Sequence, residues 1–125
     1  MDNTKFNYLY RDAGNYKKWG SVVFANPDGL TLDSIRWALQ SAFLQDGLFI
    51  AEQIRLRDVF FFAEGNTTSD DHCFHEFDGV EATLEVPHDK HSRTIGQFIV
   101  ECQREAKRGW MAFDCHDRAA QRILF

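Results

Sequence analysis

Four of the five histidines in the chain lie between positions 72 and 91, beside a cysteine and several carboxylates. Imidazole and carboxylate groups are ligands for zinc, manganese or iron, so this stretch could supply the metal site of a hydrolase. The residues that such a site would use are His72, His75, Glu76 and His88. In an extended chain, however, His72 and His75 point to opposite sides, and the H-x-x-x-H spacing of zinc proteases is missing. A metal-dependent hydrolase is therefore the second hypothesis and not the first.

The stretch between Arg57 and Lys90 is acidic and contains no Lys or Arg. Its carboxylates are predicted to form one acidic face, comprising Glu64, Asp70, Asp71, Glu76, Asp78, Glu81, Glu85 and Asp89. A surface of one charge speeds encounter with an oppositely charged partner and rejects like-charged competitors. The first hypothesis is therefore a non-catalytic, inhibitor- or immunity-type module that docks on a basic protein surface. The competing interpretation is a solvated sheet rim, whose charged residues keep strand edges from aggregating.

Other catalytic patterns do not occur in the sequence. The G-x-S-x-G, P-loop and dinucleotide-binding glycine patterns are all missing, so no cofactor is predicted. The widely spaced Cys73, Cys102 and Cys115 include no C-x-x-C pair and indicate reduced thiols. Two of them have a histidine as sequence neighbour, but adjacency in sequence is not the geometry that a thiolate and its base require. The sequence therefore favours binding over catalysis.

The chain has 125 residues, a formal net charge of -5 and an isoelectric point near 5.4. This charge argues against direct binding of nucleic acid or of an anionic membrane, because both depend on attraction to phosphate. No stretch approaches the roughly 20 apolar residues of a membrane helix, and the polar start lacks the apolar segment of a signal peptide. A cytoplasmic location is the expectation.

The first part of the chain predicts two strands and a helix. Residues 6–12 alternate, with aromatic side chains on one side, and residues 20–25 are rich in β-branched and aromatic residues. Apolar residues at helical spacing then follow Thr31, which is the expected N-cap, and Gly47 is the expected stop. The two strands are predicted to pair as neighbours.

The middle of the chain predicts further strands. Residues 59–62 are dense in Phe and indicate a central strand, whereas residues 48–51 are compatible with a strand or with a helical extension. Residues 73–77 and 80–84 also read as extended. The Asp-Gly pair at 78–79 predicts a hairpin turn between these two segments, with a bulge in one continuous strand as the alternative.

The best-signalled helix follows Thr94. Thr94 and Gln97 match a capping box, and Gly109 closes the helix after a group of basic residues. The order β-β-α-β-β-β-α predicts an α+β fold, with a mostly antiparallel sheet and two main helices packed on one face. A short C-terminal helix is expected in the amphipathic tail.

The length fits a single domain spanning residues 1–125, with residues 110–125 as a C-terminal extension. The apolar share of 44% and the 12 Phe residues are sufficient for one aromatic-rich core. The apolar end at residues 123–125 supplies a third hypothesis, in which the chain is a structural subunit of a homo-oligomer.

The opening at residues 6–17 reads F-x-Y-L-Y-R-D-A-x-N-Y-K, and G-S-V-V-F-A-N-P follows at residues 20–27. Shorter pieces are F-I-A-E at 49–52 and H-E-F at 75–77. These segments resemble a group of small bacterial proteins for which no activity, cofactor or catalytic residue is established. The likeness extends to about position 110. The resemblance implies a bacterial cytoplasmic protein and assigns no chemistry.

Overall fold

A β-hairpin begins the fold. The computed structural model describes residues 2–61 and 67–117. Strands β1 (Asn3–Arg11) and β2 (Lys17–Phe24) pair antiparallel, which confirms the two neighbouring strands expected from the sequence. In the turn between them the Asp12 carbonyl accepts a hydrogen bond from the Asn15 N–H, and the Asp12 carboxylate accepts one from the Tyr16 N–H. These bonds define the turn locally, as is usual for Asp.

Two further strands complete a four-stranded antiparallel sheet in the order β2-β1-β4-β3. Strand β3 (Leu48–Phe49) is only two residues long and is followed by a 3-10 turn at Ala51–Ile54. Strand β4 (His75–Thr83) pairs with β1 along its length and with β3 only at its first two residues. The long central pair β1 and β4 therefore organises the sheet.

The hairpin predicted at Asp78 and Gly79 is wrong, because both residues belong to the continuous strand β4. The register with β1 shifts between Asn7, which faces Gly79, and Tyr8, which faces Phe77. Asp78 is thus an extra residue without a partner of its own, which defines a β-bulge. The alternative prediction, a bulge in one continuous strand, is therefore correct. The segments 73–77 and 80–84, which were predicted as two strands, both contribute to the single strand β4.

The strand predicted at residues 59–62 is also not formed in the part of that segment that the structure describes. Val59 and Phe60 are buried but irregular, and Phe62 lies outside the described residues. The Val59 N–H donates to the Nε2 atom of His75 at 2.9 Å instead of to a neighbouring strand. The apolar density of this segment therefore reflects burial in the core and not strand pairing.

Helix α1 (Leu32–Ala42) begins as predicted. The Thr31 side chain accepts a backbone N–H of the first turn and acts as the N-cap. The helix ends before Gly47, the predicted stop, because Phe43 takes an extended conformation. This conformation lets the Phe43 ring stack on Phe49, with ring centroids 4.8 Å apart. Packing of the aromatic core thus overrides the helix signal over the next few residues.

Helix α2 (Ile95–Arg108) has both ends where the sequence placed them. The reciprocal capping box of Thr94 and Gln97 is present, and Gly109 is the C-cap with φ of 99°. None of the helices among the described residues has the length and apolar character needed to cross a membrane. Residues 115–117 are helical, whereas residues 118–125, and with them the apolar end behind the homo-oligomer hypothesis, lie outside the described residues.

Phe6 is the centre of the hydrophobic core and is 0% exposed. Its ring lies 5.3 Å from that of Phe77 in β4 and 5.1 Å from that of Phe98 in α2. Phe43 and Phe49 contact it from the other side. The helices therefore pack on the face of the sheet that presents Phe6, which we call the inner face. An α+β fold with both main helices on one face is confirmed.

Gly20 of β2 makes room for a buried tyrosine. A Cβ atom at this position would lie 2.7 Å from the ring of Tyr8, which is 1% exposed and donates a 2.6 Å hydrogen bond from its hydroxyl to the Arg57 carbonyl. Because the ring cannot move away, Gly20→Ala is expected to lower the free energy of unfolding by about 2 kcal/mol, measured by urea denaturation. Gly79→Ala is the control, since a Cβ there meets nothing within 4 Å. An equal loss in both variants would contradict the steric explanation.

Candidate functional site

The outer face of the sheet, opposite the helices, positions much of the predicted acidic stretch. Residues paired across antiparallel strands share a face. Lys5 of β1 therefore lies beside Glu81 of β4, and Leu9 lies beside both Glu76 of β4 and Trp19 of β2. By the same pairing, Arg11 of β1 and Lys17 of β2 also lie on this face. The outer face thus combines carboxylates, three cations and a tryptophan.

Three of the predicted acidic residues, Asp78, Glu81 and Glu85, are exposed along β4 and just beyond it, and we call them the acidic strip. The Lys5 Nζ atom lies 4.0 Å from Glu81 Oε1 and 3.5 Å from Glu85 Oε2. Asp78 lines the same concavity as Lys5, and among the described residues it forms no ion pair. One lysine shared by two of three carboxylates leaves the strip negatively charged.

Other predicted acidic residues have partners inside the protein. Glu76 receives two hydrogen bonds from the Arg11 guanidinium, at 3.2 and 3.0 Å. Asp71 accepts the Tyr10 hydroxyl at 2.6 Å, so it holds the start of the β4 segment against β1. Asp70 is exposed, and its carbonyl accepts the Ala13 N–H at 3.0 Å. The structure therefore places Asp70 and Asp71 beside the β1–β2 turn and not within the acidic strip.

Asp89 points into the protein. Its side chain is 4% exposed and accepts two hydrogen bonds from the Arg93 guanidinium, at 2.9 and 3.0 Å, and one from the Arg93 backbone N–H at 2.9 Å. Burial raises the pKa of the Asp89 carboxyl, but the hydrogen bonds and the charge of Arg93 outweigh burial, so the pKa lies below its ordinary value. Asp89 thus belongs to a buried ion pair and not to the exposed acidic surface. Glu64, the remaining predicted member of the acidic face, lies outside the described residues.

Arg93 extends this pair into a buried ionic cluster. It also binds Glu101, whose side chain is 8% exposed and accepts Arg55 at 2.8 and 3.2 Å. Burial raises the pKa of Glu101, whereas the hydrogen bonds and charges of Arg55 and Arg93 lower it, and the net pKa is below the ordinary value. An open groove of about 690 Å³ lies over the cluster, and Arg104 on its wall is 3.6 Å from Glu101. Arg55, Arg93, Glu101 and Arg104 of the groove lining are therefore paired within the protein, whereas Asp28 forms no ion pair among the described residues.

His72 and His75, two of the predicted metal ligands, use their ring nitrogens for internal hydrogen bonds. His75 is 0% exposed, and its Nε2 accepts the Val59 N–H. The Nδ1 of His72 accepts the Phe74 N–H at 3.1 Å, so its Nε2 must be the protonated nitrogen that donates to the Arg11 carbonyl at 2.7 Å. Three of the four nitrogens are thus occupied by protein groups.

Glu76 and His88 complete the predicted metal-binding set. Glu76 is held by arginine, and His88 is exposed on the loop that follows β4, where its backbone N–H donates to the Val23 carbonyl. Within residues 2–61 and 67–117 no three His, Cys, Asp or Glu side chains are grouped so that they could hold a metal ion. The geometry of the described residues therefore gives no support to the hydrolase hypothesis.

The three cysteines are buried and unpaired. Burial raises the pKa of Cys102 and of Cys115 above the ordinary value of a thiol. Because the thiolate is the reactive form, these two side chains behave as small apolar residues of the core.

Trp19 is a surface residue that the sequence did not identify, since the second strand was predicted to begin at Gly20 and begins at Lys17. It is the cross-strand partner of Leu9, which is 0% exposed, while Trp19 itself is 55% exposed. Tryptophan is strongly enriched among residues that dominate binding energies. The alternation of Trp19 with the inward-facing Val22 and Phe24 is the signal that could have placed it on the outer face.

Comparison of the chain with protein-family models, with curated proteins and with solved structures gives no match. The resemblance carried by residues 6–17 stays a prediction. Function is therefore argued from the outer face itself.

Proposed function

We propose that this protein is a non-catalytic binding module of the inhibitor or immunity type, which docks on a basic surface of another protein. The observation that supports this proposal most directly is the acidic strip, in which Asp78, Glu81 and Glu85 are exposed along β4 and just beyond its end. Among the described residues, the strip holds three of the four exposed carboxylates of the predicted acidic face; the fourth, Asp70, lies apart beside the β1–β2 turn.

The lysine within the strip does not neutralise it. Glu81 and Glu85 are 58% and 55% exposed at their side chains, and both contacts to Lys5 are at or beyond 3.5 Å. Exposed ion pairs of this kind contribute about 0 to 1 kcal/mol, so cations of a partner can compete for the same carboxylates. Complementary charge of this sort raises the association rate and aligns the two surfaces.

Trp19 supplies the apolar component of the proposed interface. Trp19, Lys5 and Asp78 line one shallow concavity of about 320 Å³ on the outer face. Interfaces commonly combine an aromatic anchor with a polar rim, and here the tryptophan shares the concavity with Asp78 and with the cations Lys5 and Arg57. The outer face therefore offers both contacts that a partner would need.

The proposal is tested with a variant in which the acidic strip is neutralised by Asp78→Asn, Glu81→Gln and Glu85→Gln. The immobilised unmodified protein is expected to capture a basic protein from a lysate of its source cells at about 50 mM salt, and at least tenfold less at about 300 mM. The neutralised variant should capture at least tenfold less of the same protein at the lower salt. The bound fraction is measured by quantitative mass spectrometry.

A matched control removes three exposed carboxylates elsewhere, by Asp28→Asn, Asp33→Asn and Asp117→Asn. Both triple variants have the same net charge, so a loss confined to the strip variant identifies the strip as the binding surface. Equal retention in the two variants, or a partner whose capture does not depend on salt, would contradict the proposal.

A further inference from the structure

One edge of strand β4 is free over most of its length. β3 pairs only with Glu76 and His75, whereas β1 occupies the opposite edge of β4 as far as Thr83. No strand among residues 2–61 and 67–117 pairs with residues 77–83 on the edge of β4 that lies opposite β1. Alternate backbone N–H and C=O groups of a strand point to each of its two edges. Gly47 lies against the backbone of Phe77, since a Cβ atom there would be 3.5 Å from the Phe77 N and O atoms. The groups on this edge of residues 79–83 are therefore the ones available for another chain.

The side chains along this free edge alternate in chemistry. Glu81 lies on the outer face, opposite Lys5 of β1, and is negatively charged and exposed. Val80 and Ala82 lie on the inner face, where Val80 is 8% exposed and Ala82 is exposed. A strand laid against this edge would meet carboxylates on one side and small apolar groups on the other.

We propose that residues 79–83 accept an extended segment of the basic partner as a fifth strand of the sheet. This inference rests on the proposed function and specifies the mode of binding. The incoming segment alternates basic residues, which face Glu81 and Asp78, with small apolar residues, which face Val80 and Ala82. The backbone ladder provides affinity, and the alternating side chains provide specificity.

Two exposed apolar residues extend the surface beyond the strand. Leu84 and Val86 are 87% and 79% exposed, and they follow β4 directly in the chain. An extended segment that continues past Thr83 would cover them. Exposed apolar side chains at the end of an unpaired strand edge are consistent with an apolar contact in the bound state.

The charge of the edge selects a basic partner over a second copy of this chain. Two β4 edges brought together would place Asp78 and Glu81 near the carboxylates of the other copy, and like charges across a strand pair are destabilising. A segment that presents Lys or Arg at the same positions gains attraction instead. The occupant we infer is therefore a basic strand of a different protein.

The inference is tested with a synthetic peptide of about eight residues that alternates Lys and Val, titrated into the full chain and followed by amide hydrogen exchange. Binding is expected to slow exchange of amides within residues 77–83. Two further peptides have the same sequence but are N-methylated at every Lys or at every Val. Because alternate amides face opposite edges of a strand, one methylated peptide is expected to bind at least tenfold more weakly than the other.

A charge variant supplies the second measurement. Glu81→Lys should weaken the Lys–Val peptide at least tenfold and strengthen binding of a Glu–Val peptide of equal length. Asp28→Lys, which makes the same change of charge at an exposed position away from β4, is the control. Equal binding of the two methylated peptides, or binding without protection of residues 77–83, would overturn strand addition while leaving salt-dependent docking intact. Absence of any binding would also overturn it, and the capture experiment would still judge the proposed function separately.

Discussion

Replacing Arg93 with methionine is expected to lower the free energy of unfolding by about 3 to 5 kcal/mol, measured by urea denaturation near pH 7. Arg93 is 6% exposed and is the cation between two buried carboxylates, Asp89 and Glu101. Without it, both carboxylates would stay in a poorly solvated environment with less compensating charge. Removing one partner of a buried ion pair costs far more than removing an exposed one.

Arg93 also ties distant segments of the chain together. Its guanidinium donates to the carbonyls of Ile54 and Arg55, at 2.7 and 3.2 Å. The same group lies 5.7 Å from the ring centroid of Phe24 and 5.1 Å from that of Phe98. Methionine retains apolar contact with the rings but supplies no donor, so the variant isolates the loss of charge and hydrogen bonds.

The control for this prediction is Arg36→Met, which breaks the exposed pair of Arg36 with Asp33, a side chain that is 96% exposed. That variant should change stability by no more than about 0.5 kcal/mol. Adding Asp89→Asn and Glu101→Gln to the Arg93 variant should recover part of its loss, because no buried carboxylate is then charged, and Arg55, which loses Glu101, is half-exposed. A cost below about 1 kcal/mol for Arg93→Met would contradict the role assigned to the cluster.

Lowering the pH from about 7 to about 4 is expected to remove about 3 kcal/mol of stability through His75 alone. His75 is 0% exposed, and its ring lies 4.4 Å from that of Phe60 in the aromatic core. Burial is the main reason why its pKa falls from 6.5 to about 4. The charge of Asp58 raises this pKa by a smaller amount, and His72 lowers it slightly further. Its Nδ1 has no hydrogen-bond partner among the described residues, and its Nε2 must remain unprotonated to accept the Val59 N–H.

The direction in which stability changes with pH follows from whether the folded or the unfolded state binds a proton on His75. Between pH 6.5 and about 4 the unfolded chain holds a proton on His75 that the folded protein does not. The stabilisation is therefore present in full above pH 6.5 and is lost as the pH falls to about 4. Urea denaturation at intervals of half a pH unit measures the slope.

His75→Gln separates this residue from the other titrating groups. Glutamine retains an acceptor for the Val59 N–H but does not titrate, so the variant should lose most of the slope between pH 6.5 and about 4. His91→Gln, at an exposed position, should keep the slope of the unmodified protein. An unchanged slope in His75→Gln would show that other groups account for the acid sensitivity.

Local signals predicted the elements whose ends are determined by neighbouring residues. The capping box of Thr94 and Gln97 and the N-cap at Thr31 involve groups within one helical turn, so both helix starts could be read from the sequence. The end of α1 could not, because Phe43 leaves the helix to stack on Phe49. Residues 59–61 were misread for a similar reason, since burial and strand pairing both select apolar residues.

The candidate site likewise combines features that neighbouring residues determine with features that depend on the fold. The acidic composition of the middle of the chain was visible, but its division into exposed and paired carboxylates depends on which cations the fold brings close to each of them. Asp89 finds Arg93 four residues away, whereas Glu76 finds Arg11 across the sheet. Sequence spacing does not reveal which of these pairs forms. The free edge of β4 was equally hidden, because it depends on β3 being only two residues long.

The bulge at Asp78 divides β4 into two parts of opposite parity. Before it, the odd-numbered His75 and Phe77 face the helices, and after it the even-numbered Val80 and Ala82 do. A sequence grafted onto this strand must therefore be counted separately on each side of Asp78. If the alternation were counted straight through Asp78, all the side chains on one side of the bulge would point to the wrong faces of the sheet.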